Sequence, residues 1–308
     1  MSRSNPGLAL ALGAACALAC KTPEPEAIYR PAESVLEVVT LLRLHRDDDT
    51  YRFEPARDYT GKNVYRASFD RLESLEQLYR DKFQSGYLDA EIQYAKGMAL
   101  ERITEYELAA RHFAHVASLD NVLRDSASES GAICERLDAA RGIAPPPDAS
   151  PGHALEVFDE RMRLLDELLE EAGTTWHRPV VREEIERADL ARAEYFRARW
   201  MLEPRHSALV LQQYQVLLQN HADSKNRSRH LIALADLYSD LSRRYATEHP
   251  PVSLRFDAAT FDEYAQSASR LYESVSQQDG AIEKIEAAAK LDAFLAFTLE
   301  VHEQKIPQ

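Results

Sequence analysis

The sequence predicts an all-α fold, and three observations support this class. Only 10 of the 308 residues are glycine, too few for a sheet protein rich in tight turns. The 14 prolines occur in clusters, which mark breaks between helices. Between these breaks, apolar residues recur at the spacing of an amphipathic helix. The helices are therefore expected to pack as antiparallel neighbours.

The N-terminal segment, residues 1–20, has the features of a bacterial signal peptide. Arg3 precedes a compact apolar run, residues 8–19, which is too short to span a bilayer stably. The run ends at Cys20 and resembles a lipobox, although Ala17 and Leu18 stand in the reverse of the usual order. The resemblance implies a lipidated Cys20, and the absence of a following aspartate favours the outer membrane. Cleavage by ordinary signal peptidase, giving a soluble periplasmic protein, is the alternative.

A polar, proline-containing tether, residues 21–30, follows the cysteine and leads into two predicted helices. The first helix covers 31–46 and is followed by an acidic triplet, which we interpret as part of a solvated loop because it lacks the ligand spacing of an EF-hand. The second helix ends near Gly86, and one face carries its apolar residues, Phe69, Leu72, Leu75, Tyr79 and Phe83.

The segment 90–121 predicts a helical hairpin. The small residues Gly97 and Ala109 are placed where two antiparallel helices would approach closely, and Leu100 and Phe113 are placed where bulk would fill the gap. Residues 104–106 interrupt the helical pattern for the length of a turn. An ordinary hairpin of a helical bundle would need the same small residues, so that interpretation stays open.

This hairpin resembles a tetratricopeptide repeat, best matched over 90–123, since Gly97, Ala109 and Phe113 occupy its glycine, alanine and aromatic positions. The chain departs from the family at Gln93, Lys96 and Asn121. The resemblance implies an α-solenoid, a superhelix of stacked hairpins. It also implies a partner-binding groove lined by the first helix of each pair, which selects Glu91, Tyr94, Met98, Glu101 and Arg102. A plain solvent-exposed helix face is the alternative for these five residues.

Proline-rich residues 142–152 are predicted to link two helical lobes, residues 31–141 and 153–308. In the second lobe, Ala198 and Tyr214 fit the small and aromatic positions of a degenerate repeat, with a turn at 204–207. Ala268, Tyr272 and Val275 have the spacing of another second helix, and a terminal helix over 281–302 is expected to cap the stack.

Charge and cysteine content exclude several functions. A net charge of −14 disfavours nucleic acid and electrostatic docking on anionic lipid. After Cys20 the chain contains only Cys134, so no intramolecular disulfide framework is expected, and Cys134 is interpreted as a small buried residue. His112 and His115 could approach one metal ion, but no carboxylate completes a recognisable site, so neither a metal nor a cofactor is expected.

Two functions of different class remain. The first is a non-enzymatic, membrane-anchored scaffold that resembles bacterial tetratricopeptide lipoproteins and binds an envelope protein during assembly, secretion or cell-wall organisation. The alternative is a helical enzyme acting on peptidoglycan, because Glu129 and Ser130 resemble the catalytic Glu-Ser of lytic transglycosylases. The other motifs of that family are missing from the chain.

Overall fold

The computed structural model describes residues 30–48, 63–80, 88–202 and 204–304. These residues form eleven α-helices and one short 3-10 helix, Pro204–His206, with no β-strand among them, so the predicted all-α class is confirmed. The helices are α1 (Pro31–Asp48), α2 (Val64–Leu78), α3 (Asp89–Arg102), α4 (Tyr106–Ser118), α5 (Arg124–Gly142), α6 (Pro151–Ala172), α7 (Arg178–Leu202), α8 (Ser207–Asn220), α9 (Arg227–Glu248), α10 (Ala258–Ser276) and α11 (Lys284–Glu303).

The helices contact one another mainly in chain order. Most contacts join each helix to the next one, and others join helices two apart, namely α1 with α3, α5 with α7 and α9 with α11. Contacts mainly between near neighbours are typical of a quasi-one-dimensional chain. This pattern fits a stacked arrangement of helices.

The hairpin predicted over 90–121 is formed by α3 and α4. Leu100, Ala109 and Phe113 are fully buried. A Cβ atom added at Gly97 would lie 2.7 Å from Cε1 of Phe113, closer than two carbon atoms can approach, so only glycine leaves room for the ring. The two helices therefore cross where the sequence places its smallest residue opposite an aromatic one.

The proline-rich segment after α5 is held against α7. The Tyr195 hydroxyl donates to the carbonyl of Pro146 at 3.1 Å, and the Arg199 guanidinium donates to the carbonyls of Pro147 and Ala149 at 2.6 and 3.2 Å. The main apolar cluster extends from α1 to the first half of α7, and a second cluster includes the start of α6 and the rest of α7. The hydrophobic core therefore does not divide at residues 142–152, because α6 and α7 contribute to both clusters.

The C-terminal helices match the predicted order, with one difference. The predicted turn at 204–207 is the short 3-10 helix, and Tyr214, Ala268, Tyr272 and Val275 are all buried. Ala198, however, is exposed on α7, whereas its neighbours Ala193 and Phe196 are buried. Ala198 is thus not at a close helix crossing, because α7 turns the face of residues 193 and 196 toward the core.

Several predictions concern residues that the structure does not describe. These are the signal segment with Cys20, the tether up to residue 29, the loop from 49 to 62, and the predicted end of the second helix near Gly86. Among the helices that are described, none is both long and apolar enough to cross a membrane.

Candidate functional site

A pocket of about 770 Å³ lies between helices that are far apart in the chain. Its wall includes residues of α2, the turn between α3 and α4, α7 and α9, among them Asn63, Thr104, Leu190 and Asn226. Helices α4 to α6, which lie between α3 and α7 in the chain, and α8, which lies between α7 and α9, do not contribute to the wall. Pockets of this volume are typical of ligand sites, so it is the first candidate for a functional site.

The wall of the pocket carries charges of both signs. Four arginines and four carboxylates line it: Arg66, Arg102, Arg187, Arg229, Asp70, Glu183, Glu186 and Glu194. Most of these are paired. Arg187 bonds Glu183 and Glu184 at 2.9 Å each, and His230 bonds Glu186 at 2.7 Å. Burial raises the pKa of Glu186, but hydrogen bonds from His230 and Ser224 outweigh it, and the net pKa lies below the usual range. Glu186 is therefore charged at neutral pH.

Arg102 differs from the other arginines of the wall. The residue is 5% exposed, and within the described part of the chain its guanidinium makes a single hydrogen bond, from Nη2 to the backbone carbonyl of Trp176 at 3.3 Å. The guanidinium carbon also lies 5.9 Å from the centre of the Trp176 ring, within the range of a cation–π interaction. Nε and Nη1 have no hydrogen-bond partner among the residues that the structure describes. A buried cation without a carboxylate partner is costly and calls for an explanation.

The turn that follows Arg102 has an unusual backbone. Thr104 has φ of 66°, in the left-handed region, and is the one non-glycine residue with positive φ in the described part of the chain. Backbone bonds from Ile103 and Glu105 to the Leu100 carbonyl, at 3.2 and 3.0 Å, hold the turn. The Arg141 guanidinium donates to the Thr104 carbonyl as well. Such conformations cost about 1–2 kcal/mol for a residue with a Cβ and persist only where the surroundings enforce them.

A buried polar network lies behind Arg102. Nδ1 of His177 is 2.8 Å from Oε1 of Glu101, and Nε2 of His177 is 3.2 Å from Oγ of Ser130. The Ser130 hydroxyl donates to the Ser126 carbonyl at 2.7 Å, so it accepts from Nε2. With Nε2 as a donor, the contact between Nδ1 and the carboxyl group also needs a proton, carried either by the imidazolium or by Glu101.

The connection of Glu101 to His177 and of His177 to Ser130 is that of the acid, histidine and serine of a serine hydrolase triad, but this network cannot act as one. Glu101, Ser130 and His177 are 0%, 1% and 1% exposed, so a substrate has no access to the hydroxyl. The Ser130 proton is also directed at a backbone carbonyl rather than at the imidazole. The network instead joins α3, α5 and the start of α7. Cys134 lies at its edge, 3.8 Å from Oε1 of Glu101, and burial raises the pKa of this thiol, which makes it unreactive.

The five predicted groove residues divide into two groups. Glu91 and Tyr94 are half-buried. Met98, Glu101 and Arg102 are buried, because the last turn of α3 faces the residues before α7 rather than solvent. The Tyr94 ring packs edge-on against Phe113 at 5.3 Å, and its hydroxyl lies 3.5 Å from Oγ of Ser130. The two half-buried residues, Glu91 and Tyr94, are thus accessible to a partner, whereas the three buried residues contact other parts of the chain.

The other candidate residues have ordinary surroundings. Glu129 is exposed on α5 and does not line the pocket. His112 and His115 bond different side chains, Gln93 at 2.6 Å and Asp89 at 2.9 Å. The described residues contain no group of three or more metal-ligating side chains.

Sequence reasoning missed the pocket and the contribution of Trp176 and His177. These two residues precede α7, and the contact between His177 and Glu101 spans 76 positions of the chain. No local pattern marks them, although a Trp-His pair at a helix start is an unusual choice for a solvated turn.

Comparison with known proteins does not assign a family. No protein-family model matches the chain, and no curated protein matches it significantly. The resemblance of residues 90–121 to a tetratricopeptide repeat therefore stays a prediction.

Proposed function

We propose that this protein is a non-enzymatic scaffold of the bacterial cell envelope, anchored through a lipid on Cys20, that holds a partner protein on the inner face of a superhelix of stacked helices. Support for the anchor comes from the apolar run at residues 8–19 and the cysteine that follows it. Support for the superhelix comes from helix contacts that join mainly near neighbours in the chain.

One observation carries the proposal. Helices α2, α7 and α9 and the end of α3 border the same pocket, although α4 to α6 and α8 lie between them in the chain. In a superhelix of stacked hairpins, helices that are distant in the chain line one concave side, and that side offers a continuous surface for a partner. The rim of the pocket includes Glu194, which is exposed, and the half-buried Arg66 and Arg229. Glu91 and Tyr94 extend the accessible surface along α3.

The test is an affinity pull-down from detergent-solubilised envelopes with a C-terminally tagged full-length chain. Mass spectrometry identifies both the co-purifying proteins and the modification on Cys20. We expect a stoichiometric envelope protein and a lipidated cysteine. A chain that purifies alone and without lipid would contradict the proposal.

Two charge reversals locate the partner surface. Glu194→Arg and Glu91→Arg should each reduce capture about tenfold or more, because they place a repulsive charge at a contact. Glu156→Arg is the control, since Glu156 is exposed on α6, a helix that does not line the pocket. Equal capture by all three variants would exclude this face as the partner surface.

A further inference from the structure

We propose that the pocket binds a small organic carboxylate, and that the carboxylate group pairs with Arg102. This ligand site is the interior of the pocket whose rim belongs to the partner surface proposed above.

Arg102 is the exception among the four arginines of the wall. Arg66 bonds Glu105 at 3.4 Å, Arg229 bonds Glu283 at 2.9 Å, and Arg187 bonds two glutamates. Arg102 has only a backbone carbonyl and an aromatic ring. The carboxylate of its neighbour Glu101 is bonded to His177 instead. A carboxylate from outside the chain would therefore supply the counter-ion that Arg102 lacks.

The pocket restricts what the rest of the ligand can be. A volume of about 770 Å³ suits a small molecule. Four carboxylates on the wall and a chain charge of −14 disfavour a polyanion such as a nucleotide. Ile103, Leu190 and Ala233 add apolar surface to the wall. The best match is a ligand with one carboxylate and an uncharged, partly apolar body.

Ligand binding should change the conformation of Arg102. Nε and Nη1 are screened from solvent by neighbouring atoms, so a carboxylate reaches them only if the guanidinium rotates toward the pocket. That rotation alters both the hydrogen bond to the Trp176 carbonyl and the contact with its ring. The fluorescence of Trp176 is thus a direct reporter of the site.

The test uses the full chain with Trp200→Phe, which leaves Trp176 as the single tryptophan of the two in the sequence. The probes are butyrate, hexanoate and cyclohexanecarboxylate, each compared with its neutral amide. We expect at least one carboxylate to give a saturable change in fluorescence below about 10 mM and its amide to bind about tenfold more weakly or worse, because a charged hydrogen bond is lost. Isothermal titration calorimetry provides the independent measurement of affinity.

Variants then test the role of Arg102. Arg102→Gln should weaken binding about tenfold or more, and Arg102→Lys, which keeps the charge but not the planar donor group, should give an intermediate affinity. Arg163→Gln, at an exposed arginine of α6, is the control and should bind as tightly as the parent. If Arg102→Gln does not fold, the affinity of Arg102→Lys and the comparison of carboxylate with amide still test whether Arg102 binds the carboxylate.

Three results would overturn the inference: no saturable response to any of the three carboxylates, equal binding of carboxylate and amide, or unchanged affinity in the Arg102 variants. The two proposals are measured separately, because ligand binding uses the purified chain alone and partner capture uses envelope extracts. Absence of ligand binding together with retained partner capture would remove this inference alone.

Discussion

Gly97 and Phe113 share one volume at the crossing of α3 and α4. The ring occupies the position where any side chain at residue 97 would lie, with 2.7 Å between the hypothetical Cβ and Cε1 of the ring. Phe113 is fully buried and its ring packs edge-on against Tyr94, so it has little freedom to move. The fit of these two residues determines how closely the two helices approach.

Replacing Gly97 with alanine should lower the free energy of unfolding. Overpacking a rigid core costs about 1–3 kcal/mol, which exceeds the helix-propensity gain of up to about 1 kcal/mol for the same change. Gly152→Ala is the control, because a Cβ there meets no atom within 4 Å and α6 should gain stability. Urea denaturation measures both variants, and a stabilised Gly97→Ala would show that the ring yields easily.

His112 makes stability depend on pH. Burial lowers the pKa of this imidazole, the charge of Lys96 lowers it further, and Glu73 and Glu76 oppose them. The folded state binds the proton of His112 less tightly than the unfolded state does. The contribution of His112 to the free energy of unfolding is therefore complete above the unfolded pKa, about 6.5, and declines as the pH falls toward the lowered folded pKa. His112→Gln should reduce the loss of unfolding free energy between about pH 7.5 and 5.5. His153→Gln, at an exposed histidine, should leave that loss unchanged.

Buried polar contacts connect helices that lie far apart in the chain. The Tyr106 hydroxyl of α4 donates to Oε2 of Glu184 at 3.0 Å and accepts from Arg187 at 2.9 Å, and both partners belong to α7. Arg161 of α6 also bonds Glu184, at 2.9 Å. Burial raises the pKa of Tyr106, so the hydroxyl keeps its proton. These contacts set the position of α7 relative to the hairpin, which in turn places two walls of the pocket.

Tyr106→Phe removes this link while keeping the ring. Glu184 keeps its ion pairs with Arg161 and Arg187, so its charge stays neutralised in this variant. We therefore expect the free energy of unfolding to fall by about 1–3 kcal/mol, the range for hydrogen bonds to charged groups. Tyr264→Phe, at a half-buried tyrosine of α10 outside this network, is the comparison and should change stability by less than about 0.5 kcal/mol. Equal effects in thermal unfolding would show that the link does not contribute.

At the scale of the molecule, stability should be distributed unevenly along the stack. α7 packs against α5, α6 and α8, whereas α11 has principal contacts only with α9 and α10. The outer face of α11 also leaves Leu295 and Leu299 exposed. In a quasi-one-dimensional protein, terminal elements open without the rest.

Hydrogen exchange tests this distribution. Amides of α11 should exchange by local opening and show lower protection than those of α7, by at least about tenfold, which corresponds to 1.4 kcal/mol. The same experiment contains a control, because the protection of α10 amides should lie between that of α7 and that of α11. Uniform protection from α7 to α11 would mean that the helices unfold as one cooperative unit.

Much of the architecture could be predicted from the residues in order. The helix class, the bounds of α1 and α11 to within a few residues, and the places of the small Gly97 and the bulky Phe113 in the hairpin follow from periodicity and side-chain volume, which are local properties. Ala198 shows where this reasoning fails. Its spacing suits a helix crossing, but which face of α7 is buried depends on partners elsewhere in the chain.

The candidate site depended almost entirely on tertiary structure. Arg102 could be selected from the sequence as a groove residue, but not its burial, its contact with Trp176 or its lack of a counter-ion. These properties arise because the last turn of α3 meets the residues before α7, a contact that spans 74 positions. Local patterns record which face of a helix is apolar and where helices end. They carry no information on which distant side chains neutralise a charge, because that depends on the packing of the complete chain.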